Sequence, residues 1–287
     1  MAQDAIAAED LTYQYGELIA VDHISFTVAE SEILGFLGPN GAGKTTTFKM
    51  LTGQLKPKSG QAKLLGMDIA KNVEKVQGEI GVCFETTNLY EQMSALENLN
   101  LFARLFGMHS FDGNALLERV GLGGRGKDRV ETYSKGMKQR LMVARAILNK
   151  PRILFLDEPT AGLDPTSSET IRNIILEERE RGATVFLTTH DMMEADKLSD
   201  RVAFMNQGKI VAIDTPHQLK QQYGKRALKA KVSTKDGELE DREITLDTPE
   251  TPEAIHRLFQ SEKVVTIHSE EATLEDIFIG LTGRGLV

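Results

Sequence analysis

The segment that most constrains this chain is residues 38–45, which read Gly-Pro-Asn-Gly-Ala-Gly-Lys-Thr. An apolar run at residues 32–37 precedes it and suits a buried strand, while residues 45–51 can continue as a helix. Glycines in such a turn let backbone N–H groups point inward at phosphate oxygens, and the helix adds the positive end of its dipole. The order of strand, glycine-rich loop and helix therefore predicts a phosphate-binding loop.

Two side chains at the end of this loop extend the prediction to a nucleoside triphosphate. Lys44 is expected to reach the β- and γ-phosphates, and the hydroxyl of Thr45 is expected to ligate Mg²⁺. The predicted nucleotide-binding residues of the segment are Gly38, Pro39, Asn40, Gly41, Ala42, Gly43, Lys44, Thr45 and Thr46.

Charge and cysteine content narrow the class of protein. The 287 residues carry a formal net charge of -8, which argues against a general role on nucleic acid or on an anionic lipid surface. Cys83 is the only cysteine, so the chain has no intramolecular disulfide and suits a reducing cytosol. We find neither a secretory signal nor a run of about 18 apolar residues, and therefore expect any membrane role to depend on a partner.

Alternating strands and helices follow the phosphate loop. Predicted buried strands at residues 80–84, 152–156, 184–188 and 202–206 are separated by helices that include residues 165–181 and 192–198. This alternation predicts a parallel sheet, preceded by antiparallel strands between residues 11 and 28. Cys83 falls within one of these strands and is expected to be a core residue, although its nearness to the nucleotide leaves inhibition by alkylation open.

A helical insertion and a C-terminal appendage complete the predicted organisation. Apolar residues recur at helical spacing from residue 94 to 107, with Ser94 as N-cap and Glu97 completing a capping box. Further helices are predicted at residues 113–120 and 134–149. We expect an α/β domain at residues 1–223, with a helical subdomain at about 88–149, and a small α+β appendage at residues 224–287. The predicted strands of the appendage are 225–234, 243–247 and 263–268, and its predicted helices are 252–260 and 274–282.

A pair of carboxylates ends the predicted strand at residues 152–156. A Mg²⁺-nucleotide site needs one carboxylate in the metal shell and one to orient the attacking water, and Asp157 and Glu158 fit these roles. Taken alone, the pair is more simply an acidic strand end that caps the next helix. The phosphate loop upstream favours the catalytic interpretation.

The segment Tyr-Ser-Lys-Gly-Met-Lys-Gln-Arg at residues 133–140 resembles the signature of ATP-binding cassette (ABC) ATPases, and the resemblance covers roughly residues 11–215. It implies a phosphate-loop NTPase core that binds ATP and Mg²⁺. Tyr15 matches the aromatic that stacks on adenine, Asp164 lies in the match to the loop that communicates across a dimer, and His190 matches the switch histidine at the γ-phosphate. By itself His190 is more simply a helix-capping or core histidine.

Two departures from the family pattern stand out. The family usually reads Leu-Ser-Gly-Gly-Gln, and here Ser134 and Gly136 are kept while Tyr133, Lys135 and Met137 differ. Lys135 either adds positive charge near a phosphate or is a solvated lysine. Glu85 stands where the family commonly carries glutamine, and we expect it to sense Mg²⁺ beside Thr45 and Asp157.

The resemblance also implies partners. In the family, the signature residues complete the site of a second subunit, so we expect Ser134, Lys135, Gly136 and Met137 to act in trans in a homodimer or a pair with a related ATPase. The predicted function is ATP hydrolysis that drives export through a separate multi-span membrane permease, with the chain peripheral on the cytoplasmic face of the inner or plasma membrane.

The signature wording, the Leu89-Tyr90 loop and residues 273–278 most resemble ABC-2 type exporters, which include drug- and lipid-exporting systems. Tyr90, Met93 and the helix at residues 96–106 are candidate contacts with the permease, or they pack within the helical subdomain. The alternative is a soluble ABC ATPase in translation or DNA repair, which usually has two fused cassettes, a long coiled coil or zinc-binding cysteines. A phosphate-loop kinase would not require the signature segment or His190.

Overall fold

The computed structural model describes residues 4–224, 227–233, 238–246, 248–261 and 263–283. The chain divides into two compact units, the first ending at Ile213 and the second beginning at Asp214. The division lies ten residues before the boundary expected from the sequence, and a helix that precedes residue 224 belongs to the second unit.

The elements of the first unit follow in chain order. They are β1 (Asp4–Tyr15), β2 (Leu18–Ala29), β3 (Ile33–Leu37), α1 (Lys44–Leu51), β4 (Ser59–Leu64), β5 (Met67–Asp68), α2 (Val73–Glu79), β6 (Ile80–Cys83), α3 (Ala95–Leu105), α4 (Gly113–Arg119), α5 (Lys135–Ile147), β7 (Ile153–Asp157), α6 (Pro165–Glu180), β8 (Thr184–Thr189), α7 (Met192–Leu198), β9 (Arg201–Asn206) and β10 (Lys209–Asp214).

The main sheet of the first unit has, among the described residues, the strand order β10-β9-β3-β8-β7-β6. The pairs β9–β3, β3–β8, β8–β7 and β7–β6 are parallel. A second sheet with the order β2-β1-β4-β5 is antiparallel, and the β1–β2 hairpin is longer than the sequence predicts because it begins at Asp4. The α/β fold with an N-terminal antiparallel subdomain is confirmed.

The central strands are apolar throughout because both faces of the main sheet are buried. Along β7, Leu154 and Leu156 face a cluster shared with α3, α5 and α6, whereas Ile153 and Phe155 face a cluster shared with α1 and the antiparallel sheet. Phe155 packs on Phe186 of β8 with ring centroids 5.7 Å apart. Helices or strands on each face thus account for continuous apolar runs in place of alternating ones.

The parallel register places three strand ends at one edge of the sheet. Leu37, the last residue of β3, pairs with Thr189, and Asp157, the last residue of β7, pairs with Thr188. The segments that follow, namely the glycine-rich loop, Glu158 and His190, therefore leave the sheet side by side. Open α/β sheets bind ligands at this carboxyl edge.

The helical insertion forms with the cap predicted for it. Ser94 accepts a hydrogen bond from the Glu97 backbone N–H at 3.2 Å, and the Glu97 carboxylate accepts one from the Ser94 N–H at 2.7 Å. Leu99, Leu117 and Leu141 pack in the same core cluster, which joins α3, α4 and α5.

The second unit contains α8 (Pro216–Tyr223), β11 (Ala227–Ser233), β12 (Leu239–Thr245), α9 (Thr251–Ser261), β13 (Lys263–Glu270) and α10 (Leu274–Thr282). Its described strands form an antiparallel sheet in the order β12-β11-β13, and Ala230, Val232 and Leu258 form a small core between β11 and α9. The start predicted for the strand at 243–247 was wrong, since β12 begins four residues earlier, at Leu239. Parts of the predicted strands, at residues 225, 226, 234 and 247, lie outside the described residues.

Candidate functional site

The glycine-rich loop joins β3 to α1 and approaches neighbouring backbone closely. A Cβ at Gly38 would lie 2.2 Å from the carbonyl oxygen of Met205, and one at Gly43 would lie 2.3 Å from that of Ala20. Gly43 also has a φ of 109°, which L side chains rarely adopt. The tight course of the loop therefore depends on glycine at both positions.

The first turn of α1 suits an anion. Its N-cap is Gly43, and within the described part of the chain no side chain caps this helix, whereas Ser94, Ser134, Asp164 and Asp191 cap α3, α5, α6 and α7. The N–H groups of a first helical turn have no partner inside the helix. The arrangement fits a phosphate group on α1, with Thr45 and Thr46 half-buried on the same turn.

Lys44 is a buried cation among oxygen atoms. Its ammonium donates to the Gly38 carbonyl at 2.5 Å and to the Pro39 carbonyl at 3.3 Å, and lies 3.7 Å from Glu158 Oε1. Burial lowers the pKa of Lys44, and the charges of Glu158 and Asp157 oppose that effect. A nearby polyanion such as triphosphate would favour the charged ammonium.

Asp157 lies at the end of β7 and is only 3% exposed. The Thr188 hydroxyl donates to Asp157 Oδ1, and burial raises the pKa of Asp157 despite that hydrogen bond. A divalent cation would favour the ionised carboxylate, and an aspartate beside a threonine hydroxyl provides the hard oxygen ligands that Mg²⁺ takes together with water and phosphate. Among the described residues, no three His, Cys, Asp or Glu side chains converge to form a metal cage.

Glu158 lies between His190, the other predicted catalytic residue, and Lys44 of the phosphate loop. Its Oε2 is 2.9 Å from Nδ1 of His190, while its Oε1 faces Lys44. The Glu158 N–H donates to the Thr188 carbonyl at 3.0 Å, and its φ of 50° is in the left-handed region. The backbone of β8 thus holds this carboxylate, which is 9% exposed, at the strand edge beside the phosphate loop.

His190 and Tyr15 are the more open members of the set. The His190 side chain is 53% exposed and directly follows β8. Tyr15 ends β1 with its ring half exposed and packs edge-on against Tyr13, with centroids 4.8 Å apart. Both rings are accessible to a ligand.

Glu85 lies in the loop after β6, exposed to solvent. Its negative charge raises the pKa of Lys44, against the effect of burial, and also raises the pKa of Asp157. The sequence-predicted metal residue is therefore close enough to act electrostatically on the site.

The signature segment forms the N-terminus of α5 and packs against the loop before α6. Ser134 Oγ caps α5 by accepting from the Met137 N–H at 3.2 Å. Gly136 is buried beside Ser167 and Asp164, and Asp164 caps α6 by accepting from the Ser167 N–H at 2.9 Å. The Lys135 ammonium lies close to Gly162.

Within the described residues, no hydrogen bond or ion pair joins Ser134, Lys135, Gly136 or Met137 to residues 38–46. The structure thus brings together the phosphate loop, Asp157, Glu158, Glu85 and His190, while the signature residues and Asp164 form a separate group.

Cys83 is a core residue, as predicted, but its proposed sensitivity to alkylation is not supported. The thiol is fully buried, and burial raises its pKa to about 12. Since the thiolate is the reactive form, the native protein presents no reactive cysteine at this position.

Three contacts near the candidate site were not predicted from the sequence, because they depend on buried polar side chains. Arg145 of α5 donates to the Asn88 carbonyl at 2.8 Å, Asn98 of α3 bonds both backbone groups of Tyr90, and Glu194 of α7 accepts from Thr160. The sequence signal was limited to a charged or amide residue at an otherwise apolar helical position. That pattern does not identify its partner.

Three comparisons place this geometry among known proteins. Residues 21–161 match the family described as ABC transporter. The chain is 43% identical to a fluoroquinolones export ATP-binding protein of Mycobacterium tuberculosis, over 99% of this chain and 95% of that relative. It is 42% identical to the bacitracin transport ATP-binding protein BcrA of Bacillus licheniformis, over 72% of this chain and 68% of BcrA.

The chain is also similar to a solved structure, that of the ATP binding subunit of an ABC transporter. The match covers 76% of this chain and 93% of that subunit, with 29% identity and a TM-score of 0.72. The matched regions include the phosphate loop, Asp157 and Glu158, and the near full-length similarity excludes a chance match to one motif. The chain therefore belongs to the ABC transporter family, as its ATP-binding and ATP-hydrolysing subunit.

Proposed function

We propose that this chain powers an ABC exporter, with ATP hydrolysis at the edge of the main sheet coupled to a separate membrane permease. The observation that carries the proposal is the position of Glu158 between Lys44 and His190. The names of the relatives, which export fluoroquinolones or transport bacitracin, support a drug-exporting branch. In the described part of the chain, every helix is too short or too polar to cross a bilayer.

In this proposal each residue has a separate task in hydrolysis. Lys44 and the first turn of α1 bind the β- and γ-phosphates, and Tyr15 stacks on adenine. Glu158 orients the attacking water and accepts its proton, while His190 contacts the γ-phosphate and holds the Glu158 carboxylate. A protein catalyses phosphoryl transfer mainly by positioning the reacting groups and by stabilising the developing charge. The residues named above would supply both contributions.

Thr45, Asp157 and Glu85 are the residues that would hold Mg²⁺. The ion supplies neutralisation of the charge that develops on the phosphates. In the exposed setting of Glu85, a carboxylate attracts the metal but also repels the γ-phosphate.

We expect Glu85→Gln to raise the Mg²⁺ concentration for half-maximal ATPase activity by about two- to fivefold, because an exposed charge pair contributes up to about 1 kcal/mol. A Mg²⁺ titration of ATPase rates measures this shift. The exposed Glu79→Gln, outside the site, is the matched control. An unchanged Mg²⁺ dependence in Glu85→Gln would remove Glu85 from the metal site.

The separate group formed by Ser134, Lys135, Gly136, Met137 and Asp164 supports a function in a dimer. In the proposed arrangement, the Ser134 hydroxyl and the Gly136 N–H complete the nucleotide site of a second cassette, and Lys135 adds positive charge there. Two ATP molecules are then enclosed between two subunits, and their hydrolysis allows the subunits to separate.

A groove in the first unit supports docking of the permease. Its volume is about 530 Å³, and its lining includes Phe84, Tyr90, Phe102, Leu105 and Arg145. The Tyr90 ring is 53% exposed, and Leu105 is more exposed still. An accessible apolar groove of this kind fits an apolar cytosolic segment of the membrane protein.

Arg145, which lines this groove, is hydrogen-bonded to the loop that carries Glu85. The Arg145 guanidinium lies 4.7 Å from the centroid of the Phe102 ring and donates to Asn88, while Lys138 pairs with Glu91 at 2.5 Å. Since Glu85 begins the same loop, a segment seated in the groove is linked to the nucleotide site by a few residues of chain.

Removing the Arg145 guanidinium should loosen this loop and weaken the complex. We expect Arg145→Ala to lower recovery of a co-expressed permease by about tenfold, the effect of losing one or two hydrogen bonds of a charged group. The experiment co-expresses the chain with a multi-span membrane protein that co-purifies with the wild-type chain, and measures the ratio of the two after purification in detergent.

Arg179→Ala is the matched control, since Arg179 pairs with Asp200 and donates to Ser31, away from the groove. Arg145→Lys, which keeps the charge but not the two-nitrogen geometry, separates loop positioning from folding. Equal recovery with Arg145→Ala and Arg179→Ala would contradict docking in this groove. Co-sedimentation of the wild-type chain with ribosomes, without the permease, would favour the alternative of a soluble ABC ATPase. None of the contacts described above supports that alternative.

A further inference from the structure

A buried carboxylate lies beside the catalytic edge without being part of it. Glu194 of α7 is 5% exposed, and its Oε2 accepts a hydrogen bond from the Thr160 hydroxyl. Its other oxygen, Oε1, has no hydrogen-bond partner within the described residues, and the Arg172 guanidinium is 4.0 Å away. Burial of a carboxylate with one oxygen unpaired is costly, so a specific role is the simplest reason to keep it.

The hydrogen bond joins the segments that follow the two predicted catalytic side chains. Thr160 lies two residues after Glu158, in a turn closed by the hydrogen bond from the Ala161 N–H to the Glu158 carbonyl at 3.3 Å. Glu194 lies four residues after His190, and its N–H is held at 3.0 Å by Asp191, the N-cap of α7. Thr160 and Glu194 therefore connect the two segments a second time, behind the contact between Glu158 and His190.

The charges around Glu194 come from three elements. Asp191 caps the same helix, Glu158 lies at the end of β7, and Arg172 projects from α6. Burial raises the pKa of Glu194, the Thr160 hydroxyl lowers it, and Asp191 and Glu158 raise it further. The Arg172 charge, 4.0 Å from Oε1, lowers the pKa in turn, and the Thr160 hydroxyl is the group that holds the carboxylate by a hydrogen bond.

We propose that Glu194 is a positioning residue that, through Thr160, holds the Glu158 turn against α7 and so keeps the Glu158 carboxylate aligned with His190. This inference rests on the catalytic roles proposed above for Glu158 and His190, and it does not depend on the permease. The hydrogen bond acts on the rate of hydrolysis and not on ATP binding, because neither residue lies on the phosphate loop.

The test uses the full chain and its own ATPase activity. We expect Glu194→Ala and Thr160→Val each to lower kcat by about tenfold, with KM for ATP unchanged, since small misplacements of a catalytic group cost rates of this order. Glu194→Gln keeps an oxygen that accepts from Thr160, and Thr160→Ser keeps the hydroxyl, so both should stay within about threefold of the wild-type kcat. Glu180→Ala, an exposed carboxylate at the end of α6, is the matched control.

The double variant separates one connected pair from two independent effects. If Thr160 and Glu194 act through one hydrogen bond, the kcat of the double variant should be no lower than the kcat of the more impaired single variant. Multiplied losses, a raised KM at constant kcat, or a Thr160→Ser variant as impaired as Thr160→Val would each overturn the proposal. A thermal unfolding midpoint near that of wild type in Thr160→Val excludes misfolding as the cause, and an active Glu158→Gln would overturn the parent assignment instead.

Discussion

Glu158→Gln is expected to reduce ATP hydrolysis by a factor of about 100 or more while leaving ATP binding intact. A general base contributes about 10²–10⁴ to a rate, and glutamine cannot accept the proton of the attacking water. The amide is nearly the same size as the carboxylate, so the turn after β7 and its hydrogen bonds to Thr188 should persist. Steady-state ATPase rates and nucleotide affinity, measured on the same preparation, test both parts.

The same variant should accumulate as an ATP-bound dimer, because in the proposed mechanism hydrolysis is the step that separates the two cassettes. Size-exclusion chromatography in saturating ATP and Mg²⁺ should show about twice the monomer mass. Glu180→Gln, which removes an exposed carboxylate of α6, should hydrolyse ATP as the wild type does. A Glu158→Gln protein that stays monomeric under these conditions, or that hydrolyses ATP normally, would refute the proposed role.

Lys44→Ala should weaken ATP binding by about two orders of magnitude or more. The buried ammonium is the cation nearest the predicted phosphate position, and loss of a hydrogen-bonded buried charge partner costs about 3–5 kcal/mol. Glu158, Asp157 and Glu85, whose charges act on Lys44, would then be left without this neutralising charge. Nucleotide affinity measured by calorimetry or by a fluorescent ATP analogue gives the size of the effect.

Lys49→Ala provides the comparison within the same helix. Lys49 lies in the last turn of α1, away from the phosphate-binding end, so its loss removes a lysine without touching the site. ATP affinity should then remain within about twofold of wild type, as expected for a surface charge. Comparable affinities for Lys44→Ala and Lys49→Ala would contradict the assignment of the glycine-rich segment as the triphosphate site.

The part of the fold that sequence predicts well is the part in which local and tertiary preferences agree. The apolar run of β3, the glycines at 38 and 43 and the start of α1 each require the conformation that the sheet imposes. The cap at Ser94 also forms as predicted because both of its hydrogen bonds are local.

Elements at the sheet margins escaped prediction for a physical reason. β4 (Ser-Gly-Gln-Ala-Lys-Leu) buries only Ala62 and Leu64, so it shows no strong alternation, and its pairing with β1 is non-local. α8 did carry a local signal, Thr215 followed by Pro216, and Thr215 does cap it.

The candidate site divides along the same line. Motif spacing identifies Lys44, Asp157, Glu158 and His190, whose roles remain predictions, and the parallel register explains why they lie together. Arg145 and Glu194 could not be found this way, because the burial of a charge is decided by elements far away in the chain. Polar residues of this kind are visible only when their partners are known.

The left-handed backbone at Glu158 sets stability and activity against each other at one position. Outside glycine and asparagine, such a conformation costs of order 1 kcal/mol, and the surrounding hydrogen bonds to β8 maintain it. Glycine would relieve the strain but remove the carboxylate. If Glu158 has the proposed catalytic role, a library of variants selected only for thermal stability should therefore tend to lose the glutamate and, with it, ATP hydrolysis.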